Sequence, residues 1–168
     1  MQENETILKV HKTDAVNKMG NFYTKEKYLN FAIEDELYSV ETRYVIQILN
    51  MPEIITGPDM PTGMKGFVYL RGSLIPVYCT RRQFGKDDGS FCEHSCILVL
   101  MLGEKQLGLI VDRVLETITA AAGCVSRLTQ SVCKEGHQYV KGILHLFDKR
   151  SAILINVPRM FAKHYYLD

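Results

Sequence analysis

Met64-Lys65-Gly66-Phe67-Val68-Tyr69-Leu70-Arg71-Gly72-Ser73-Leu74-Ile75-Pro76-Val77 reads as two short apolar and aromatic strands around a tight Arg71-Gly72-Ser73 turn. Glycine at the turn tolerates positive φ because it has no Cβ to clash. Proline cannot donate to a ladder, so the spacing predicts that the strand of Pro76 lies at an edge or faces a bulge there. An arginine at the tip of such a hairpin is held out by a rigid scaffold.

The hairpin has an echo further along. Lys141-Gly142-Ile143-Leu144-His145-Leu146 matches Lys65–Leu70 position for position, and each is followed by a turn and an apolar strand, Leu74–Val77 and Ala152–Ile155. Upstream, Tyr38–Leu49 and Leu107–Ile118 align without a gap, which sets Val40 on Leu109, Val45 on Val114 and Gln47 on Glu116. Before these, Tyr28–Ile33 with Glu34-Asp35-Glu36 echoes Ser95–Leu102 with Gly103-Glu104-Lys105. The distance from Val45 to Lys65 is 20 residues and that from Val114 to Lys141 is 27, so the second copy carries an insert. Two similar β subdomains follow. Each alone is too small to bury much, so they are expected to share a core.

A chain of 168 residues is long enough for one domain with a sizeable core. A hydrophobic fraction of 46%, with 23% charged, is that of a soluble globular protein, and a net charge of +1 argues against a nucleic-acid surface. Met1-Gln2-Glu3-Asn4-Glu5 has neither the basic nor the apolar part of a signal peptide. The longest strong apolar run, Cys96–Leu102, is far too short to span a bilayer. Five cysteines without an export signal imply reduced thiols in a cytoplasm.

Residues 1–27 are polar, with few apolar positions, and read as a flexible N-terminal extension. From Tyr28 the pattern sharpens: Leu29, Phe31 and Ile33 alternate with Asn30, Ala32 and Glu34, as in a half-buried strand. Thr42–Leu49 reads as a short helical turn leading into a strand, and Met51–Gly63 as a loop with three prolines and two glycines. Cys79–Phe84 makes one helical turn closed by Gly85. Ile97–Met101 is a strand buried on both faces. Ala120–Gly136 is poorly patterned. Asn156 is placed to cap a closing helix, Val157–His164. Strands and turns dominate, so the class is all-β, not a parallel α/β sheet.

The most metal-like feature is Cys92-x-His94-x-Cys96 with Cys79 upstream. On an extended strand those three positions share a face, and thiolate with imidazole suits zinc. The spacing is not that of a zinc knuckle, and the competing reading is a loop-to-strand junction with Cys96 in the core. Cys79, Cys124 and Cys133 show no local pattern of a catalytic nucleophile. No glycine-rich phosphate loop occurs. Asp112 is expected to pair with a nearby base, Arg71 being one candidate. Arg71 itself is either an unpartnered surface arginine or an interface anchor, and nearby Met64, Phe67 and Tyr69 favour the anchor.

Met64-Lys65-Gly66, Leu70-Arg71-Gly72 and Ile75-Pro76-Val77 resemble the hairpin signature of CheW-like domains, the chemotaxis coupling proteins. Tyr38-Ser39-Val40 with Val45, Phe84-Gly85, Gly108–Val114, Tyr139–Gly142 and Ala152–Val157 resemble further parts of that domain, in order, over about residues 28–161. The resemblance implies a CheW-like domain over 28–168, built as two intertwined, SH3-like, five-stranded β-barrels sharing a core, with short helices including a C-terminal one. It implies a non-enzymatic, cofactor-free adaptor that binds the regulatory domain of the CheA histidine kinase and the cytoplasmic tips of methyl-accepting chemoreceptors. Such a protein is cytoplasmic, is recruited to membrane-associated arrays, and neither inserts in the membrane nor binds nucleic acid. The family's receptor-facing positions fall here on Val45, Gly66 and Arg71, with kinase contacts on apolar barrel edges. Three departures stand out: Gln47 where many members carry an acid, Cys79-Thr80 for the common Asp-Leu, and the cysteines of Phe91–Cys96. They leave open a thiol- or zinc-dependent protein using Cys79, Cys92, His94 and Cys96. A small-ligand-binding β-barrel is the third reading.

Overall fold

Arg71 and Gly72 form a two-residue turn in which both have positive φ, 49° and 86°, and Leu70 pairs directly with Ser73. That geometry suits the right-handed twist of a hairpin but is normally filled by Asn-Gly or Gly-Gly. The glycine was expected there; the arginine holding the second left-handed position was not. The turn joins β4 (Met64–Leu70) to β5 (Ser73–Cys79).

The computed structural model describes residues 24–128 and 136–166. Ahead of the hairpin come β1 (Lys25–Ile33), β2 (Glu36–Glu41), a 3-10 turn at Thr42–Tyr44 and β3 (Val45–Asn50). After it come α1 (Thr80–Gln83), β6 (Cys96–Leu102), β7 (Lys105–Val111), β8 (Arg113–Ala121) and the two-residue β9 (Val125–Ser126). The chain closes with β10 (Val140–His145), β11 (Ser151–Ile155) and α2 (Val157–Tyr166). The helical turn before β3, the turn closed by Gly85, and the closing helix stand where the sequence put them. Asn156 caps α2, its Oδ1 accepting from the Arg159 N–H at 3.1 Å.

Two sheets result, in the orders β8-β1-β2-β11-β10-β9 and β3-β6-β7-β5-β4. The sequence echo explains them. Exchanging β1, β2, β3, β4 and β5 with β6, β7, β8, β10 and β11 turns the five-stranded order into the first five strands of the other, to which short β9 is added at the edge. Of the five equivalent strands in each sheet two come from one repeat and three from the other, so the halves are interleaved. The echo predicted a shared core; the exchange of β3 and β8 is what makes it unavoidable.

Pro76 is accommodated differently from expectation. Its strand is interior, between β4 and β7, but parallel pairing with β7 begins only at Val77↔Gly108. The missing donor falls one residue before that ladder, so no hydrogen bond is lost.

The alternation of each strand sorts side chains into three cores. Leu29, Phe31, Ile33, Tyr38 and Val40 meet Leu98, Leu100, Leu107, Leu109 and Val111 between the sheets, covered by Tyr139, Met160 and Phe161. Val68, Ile75, Val77, Ile97, Val99 and Ile110 fill one sheet's own interior, with Leu49 and Leu70 from opposite ends of the strand order, so that sheet curls on itself. Tyr28, Ala120, Leu144, Ala152 and Leu154 fill the other. β6 serves two cores at once, which accounts for its unbroken apolar run.

β1 starts at Lys25 and pairs Lys25–Lys27 with Thr119–Ala121, so the last three residues of the expected extension belong to the sheet. The expected extension otherwise lies outside the described residues. Among the described residues no helix is long and apolar enough to cross a membrane.

Candidate protein-binding site

The hairpin presents Arg71 at its tip, exposed, with Tyr69 and Leu74 directly opposite one another just behind it. Both are exposed, at 68% and 58%, so the tip carries an aromatic and an aliphatic side chain outside every core. Among the described residues Arg71 makes no hydrogen bond or ion pair. It nevertheless sits at φ 49°, a conformation that costs a non-glycine residue on the order of 1 kcal/mol. Arg71 is thus a strained, solvent-facing guanidinium on a two-strand hairpin, unpartnered among the described residues.

Gly66 lies five residues back along β4, about 16 Å by strand rise. It follows a bulge at Lys65, has φ +143°, and a Cβ built there would stand 2.2 Å from the Ile55 carbonyl oxygen. That oxygen accepts from the Phe67 N–H at 2.8 Å, and Ile55 donates back at 2.7 Å. Gly66 is what allows the 51–63 loop to lie across β4. Val45 begins β3, is half-buried, and packs against the shared core. Beyond it on the edge strand, Ile46 and Ile48 face outward and flank half-buried Gln47. Strand pairing brings Gly66 and Arg71 onto one hairpin, while Val45 sits on the strand at the far end of that sheet's order.

Asp112 does not pair with Arg71. Its carboxylate accepts from Arg81 Nε at 3.0 Å and Nη2 at 2.8 Å, and from the Glu34 backbone N–H at 2.6 Å. Hydrogen bonding to Asp112 raises the Arg81 pKa above its already high value. Lys86 adds pairs to Glu34 at 3.2 Å and Glu36 at 3.0 Å. Together they fasten the β1–β2 turn to the α1 region across the two sheets. Arg81 is 31 residues from Asp112, and no local pattern marks it as the partner, because only the interleaving brings α1 to the β7–β8 corner.

The proposed metal cluster is dispersed. Cys92–Ser95 is a turn, with the Ser95 N–H donating to the Cys92 carbonyl at 3.1 Å and the Cys92 N–H to Ser95 Oγ at 2.9 Å, so alternate positions share no face. Cys96 is buried in the shared core and Cys79 at the end of β5. Burial pushes both thiols up in pKa, while the Ser95 hydroxyl lowers that of exposed Cys92. His94 is exposed and lies 3.3 Å from Glu93. Among the described residues no three His, Cys, Asp or Glu side chains come together to hold a metal ion. Cys124 is half-buried, and Cys133 lies outside the described residues.

Ser126 Oγ stands 2.7 Å from His145 Nε2, with Ser151 Oγ 3.4 Å from Nδ1. The orienting group is a hydroxyl, not a carboxylate, and the side chains are exposed. The pair ties short β9 to β10 and lacks the buried acid that would activate a serine.

The model of the CheW-like domain matches residues 27–164. The chain is 22% identical over 147 residues to the chemotaxis protein CheW of Klebsiella aerogenes, covering 88% of each. It is 26% identical over 133 residues to the probable chemotaxis protein CheW of Rhizobium etli, covering 79% of this chain and 85% of that one. The crystal structure of the scaffolding protein TtCheW from Thermoanaerobacter tengcongensis superposes with a TM-score of 0.73 at 27% identity, covering 80% of this chain and 90% of that one.

Proposed function

This chain belongs to the CheW-like domain family, and on that premise we propose that it is a non-enzymatic chemotaxis adaptor coupling methyl-accepting chemoreceptors to the CheA histidine kinase. It works in the cytoplasm, at receptor arrays beneath the membrane. The observation that carries this reading is Arg71, strained, exposed and unpartnered among the described residues, between Tyr69 and Leu74. A guanidinium orients a partner through its fixed fork of donors, and adjoining apolar groups supply the desolvated contact area. Val45 and Gly66 act away from the tip, Val45 as a half-buried contact on β3 and Gly66 by setting the path of the 51–63 loop against the hairpin.

The test is co-sedimentation of the full chain with purified kinase regulatory domain and receptor-tip fragments, singly and together. Saturable binding to both is the expected result. Binding to neither would reduce the family resemblance to one of fold.

A further inference from the structure

Phe147 stands at the tip of the β10–β11 hairpin and is 94% exposed. The turn beneath it is tight: the Leu146 N–H donates to the Arg150 carbonyl at 2.9 Å, and the Lys149 N–H to the Leu146 carbonyl at 3.2 Å. The ring therefore projects from a rigid base. A single bare apolar side chain is ordinary on a protein surface. This one adjoins a cavity of about 180 Å³, which opens between the same turn and β8. Ile118, Ala120 and Leu146 line it, all three in or against the core of Tyr28 and Leu154. The volume is below the ~300 Å³ at which small-ligand pockets begin, and it matches one aromatic ring, since about 150 Å³ of apolar space holds benzene. The lining also carries one acid and one base, Asp148 and Arg150, paired at 2.7 Å and both exposed. Glu116 holds the same arginine from outside the lining, at 2.9 Å.

A ring and a ring-sized apolar cavity thus lie side by side on one face, edged by opposite charges. That is what a contact of a patch with itself across a two-fold axis requires. We propose that this chain pairs with a second copy of itself through this face, each Phe147 seated in the other copy's cavity between β8 and the β10–β11 turn. Across the axis Asp148 of each copy meets Arg150 of the other, so the rim is complementary to its own kind, and charge complementarity favours a like copy over a partner of one strong sign. Two rings bury little area, so the pair is a weak one that forms and parts readily. The patch belongs to the six-stranded sheet, whereas Val45, Gly66 and Arg71 belong to the five-stranded one. Pairing therefore uses none of the residues assigned to the coupling role, and the inference does not rest on that role.

The experiment is analytical ultracentrifugation of the full chain alone, over a range of concentrations. The expected result is a mass that rises from that of one chain to that of two. Phe147→Ser, at an exposed position that leaves the cores alone, should weaken self-association about tenfold or more. Asp148→Arg and Arg150→Asp should each weaken it as well. An equal mixture of those two variants should associate better than either alone, because only contacts between copies restore opposite charges. Melting temperature identifies any variant that fails to fold, and Phe147→Ser keeps the test decisive if a charge variant does. The mass of one chain at every concentration, self-association undiminished in Phe147→Ser, or a mixture no better than its components would overturn the proposal, the face then belonging to an unlike partner or to none.

Discussion

The two halves of the molecule repeat one plan and use it differently at the hairpin tips. In the first half the turn is two residues, and Arg71 projects from it without a partner among the described residues. In the second the turn runs over Phe147–Arg150 and keeps its arginine for itself. Arg150 Nε donates to Asp148 at 2.7 Å and Nη2 to Glu116 at 2.9 Å, while the Asp148 carboxylate also accepts the Arg150 N–H. One arginine is absorbed by local structure; the other is held in a strained conformation and left exposed. Arg71 is strained and, among the described residues, unpartnered, and the proposed function assigns its reason to a binding partner.

The largest expected effect breaks the likeness at the two bulge glycines. Gly66 and Gly142 occupy equivalent places, and a Cβ on either meets a backbone oxygen, Ile55 at 2.2 Å and Ser126 at 2.5 Å. Only Gly66 also needs positive φ. Gly66→Ala should cost about 3 kcal/mol or more, and Gly66→Asp more again, with loss of partner binding. Gly142→Ala, free of the backbone penalty and facing two-residue β9, should cost about 1–2 kcal/mol. Equal losses in urea denaturation would mean that the crossing strand alone sets the requirement.

The second prediction separates stability from binding at the tips. Arg71→Asn suits the left-handed position better and should stabilise the fold by about 0.5–1 kcal/mol while weakening receptor-tip binding at least tenfold. Arg71→Ala should weaken binding as much without the gain in stability. Arg150→Ala should do the reverse, lowering stability only slightly and leaving binding intact, because its pairs are surface pairs. Undiminished binding by Arg71→Asn would remove the function assigned to that residue.

How much of this was legible in the sequence depended on range. Local signals carried: the Gly72 turn, the Asn156 cap, the doubly buried run of β6 and the echo of Lys65–Leu70 in Lys141–Leu146 all stand in the structure. What depended on distant partners did not carry. Arg81 reads in the sequence only as part of a helical turn, because its bond to Asp112 exists only once β7 and β8 leave for different sheets. The spacing of Cys92, His94 and Cys96 suggested a shared face because it assumed a strand, and a turn stands there instead. Pro76 suggests an edge or a facing bulge, whereas its strand is interior, the β4 bulge falls between Met64 and Gly66, and the next ladder starts one residue later. Residues 1–23 and 129–135 lie outside the described structure, so the extension and part of the insert are not among these comparisons.

The helices that follow each half's last strand give the third contrast. After β5 comes the four-residue α1, and after β11 the ten-residue α2, whose His164 packs on Tyr78 of the first half. Burial, then Lys163, lowers the His164 pKa to about 4, below the ordinary 6.5. The unfolded chain therefore takes up a proton in the window where the folded chain does not, and stability falls as pH drops from about 6.5 to 4. The ring is only half-buried, so the loss should be about 1–2 kcal/mol. Carboxylates held low in pKa, Asp88 and Glu116 among them, add acid sensitivity mainly at the bottom of that range. His164→Gln should flatten the profile between pH 6.5 and 5 and leave the steeper fall below it; identical slopes in both proteins would dismiss this role for His164.

The smallest effect tests why one sheet's interior holds a polar chain and the other does not. Ser39 Oγ donates to Asn30 Oδ1 at 2.8 Å, Asn30 Nδ2 donates to Glu116 at 3.1 Å, and Arg150 closes the chain at the surface. The equivalent positions in the other half are Gly108, Val99 and Gln47, which form no such chain. Asn30 and Ser39 are fully buried, so their bonds replace water they have lost, whereas the Glu116–Arg150 pair is solvent-facing. Glu116→Gln keeps an oxygen for Asn30 and gives up only the ion pair, so it should cost under about 1 kcal/mol and the cost should shrink in high salt. Asn30→Val, which copies the other half, deprives Ser39 of its acceptor and should cost more, independently of salt. Were Glu116→Gln the more damaging of the two, the surface charge and not the buried bonds would be what holds β8 to β1 there.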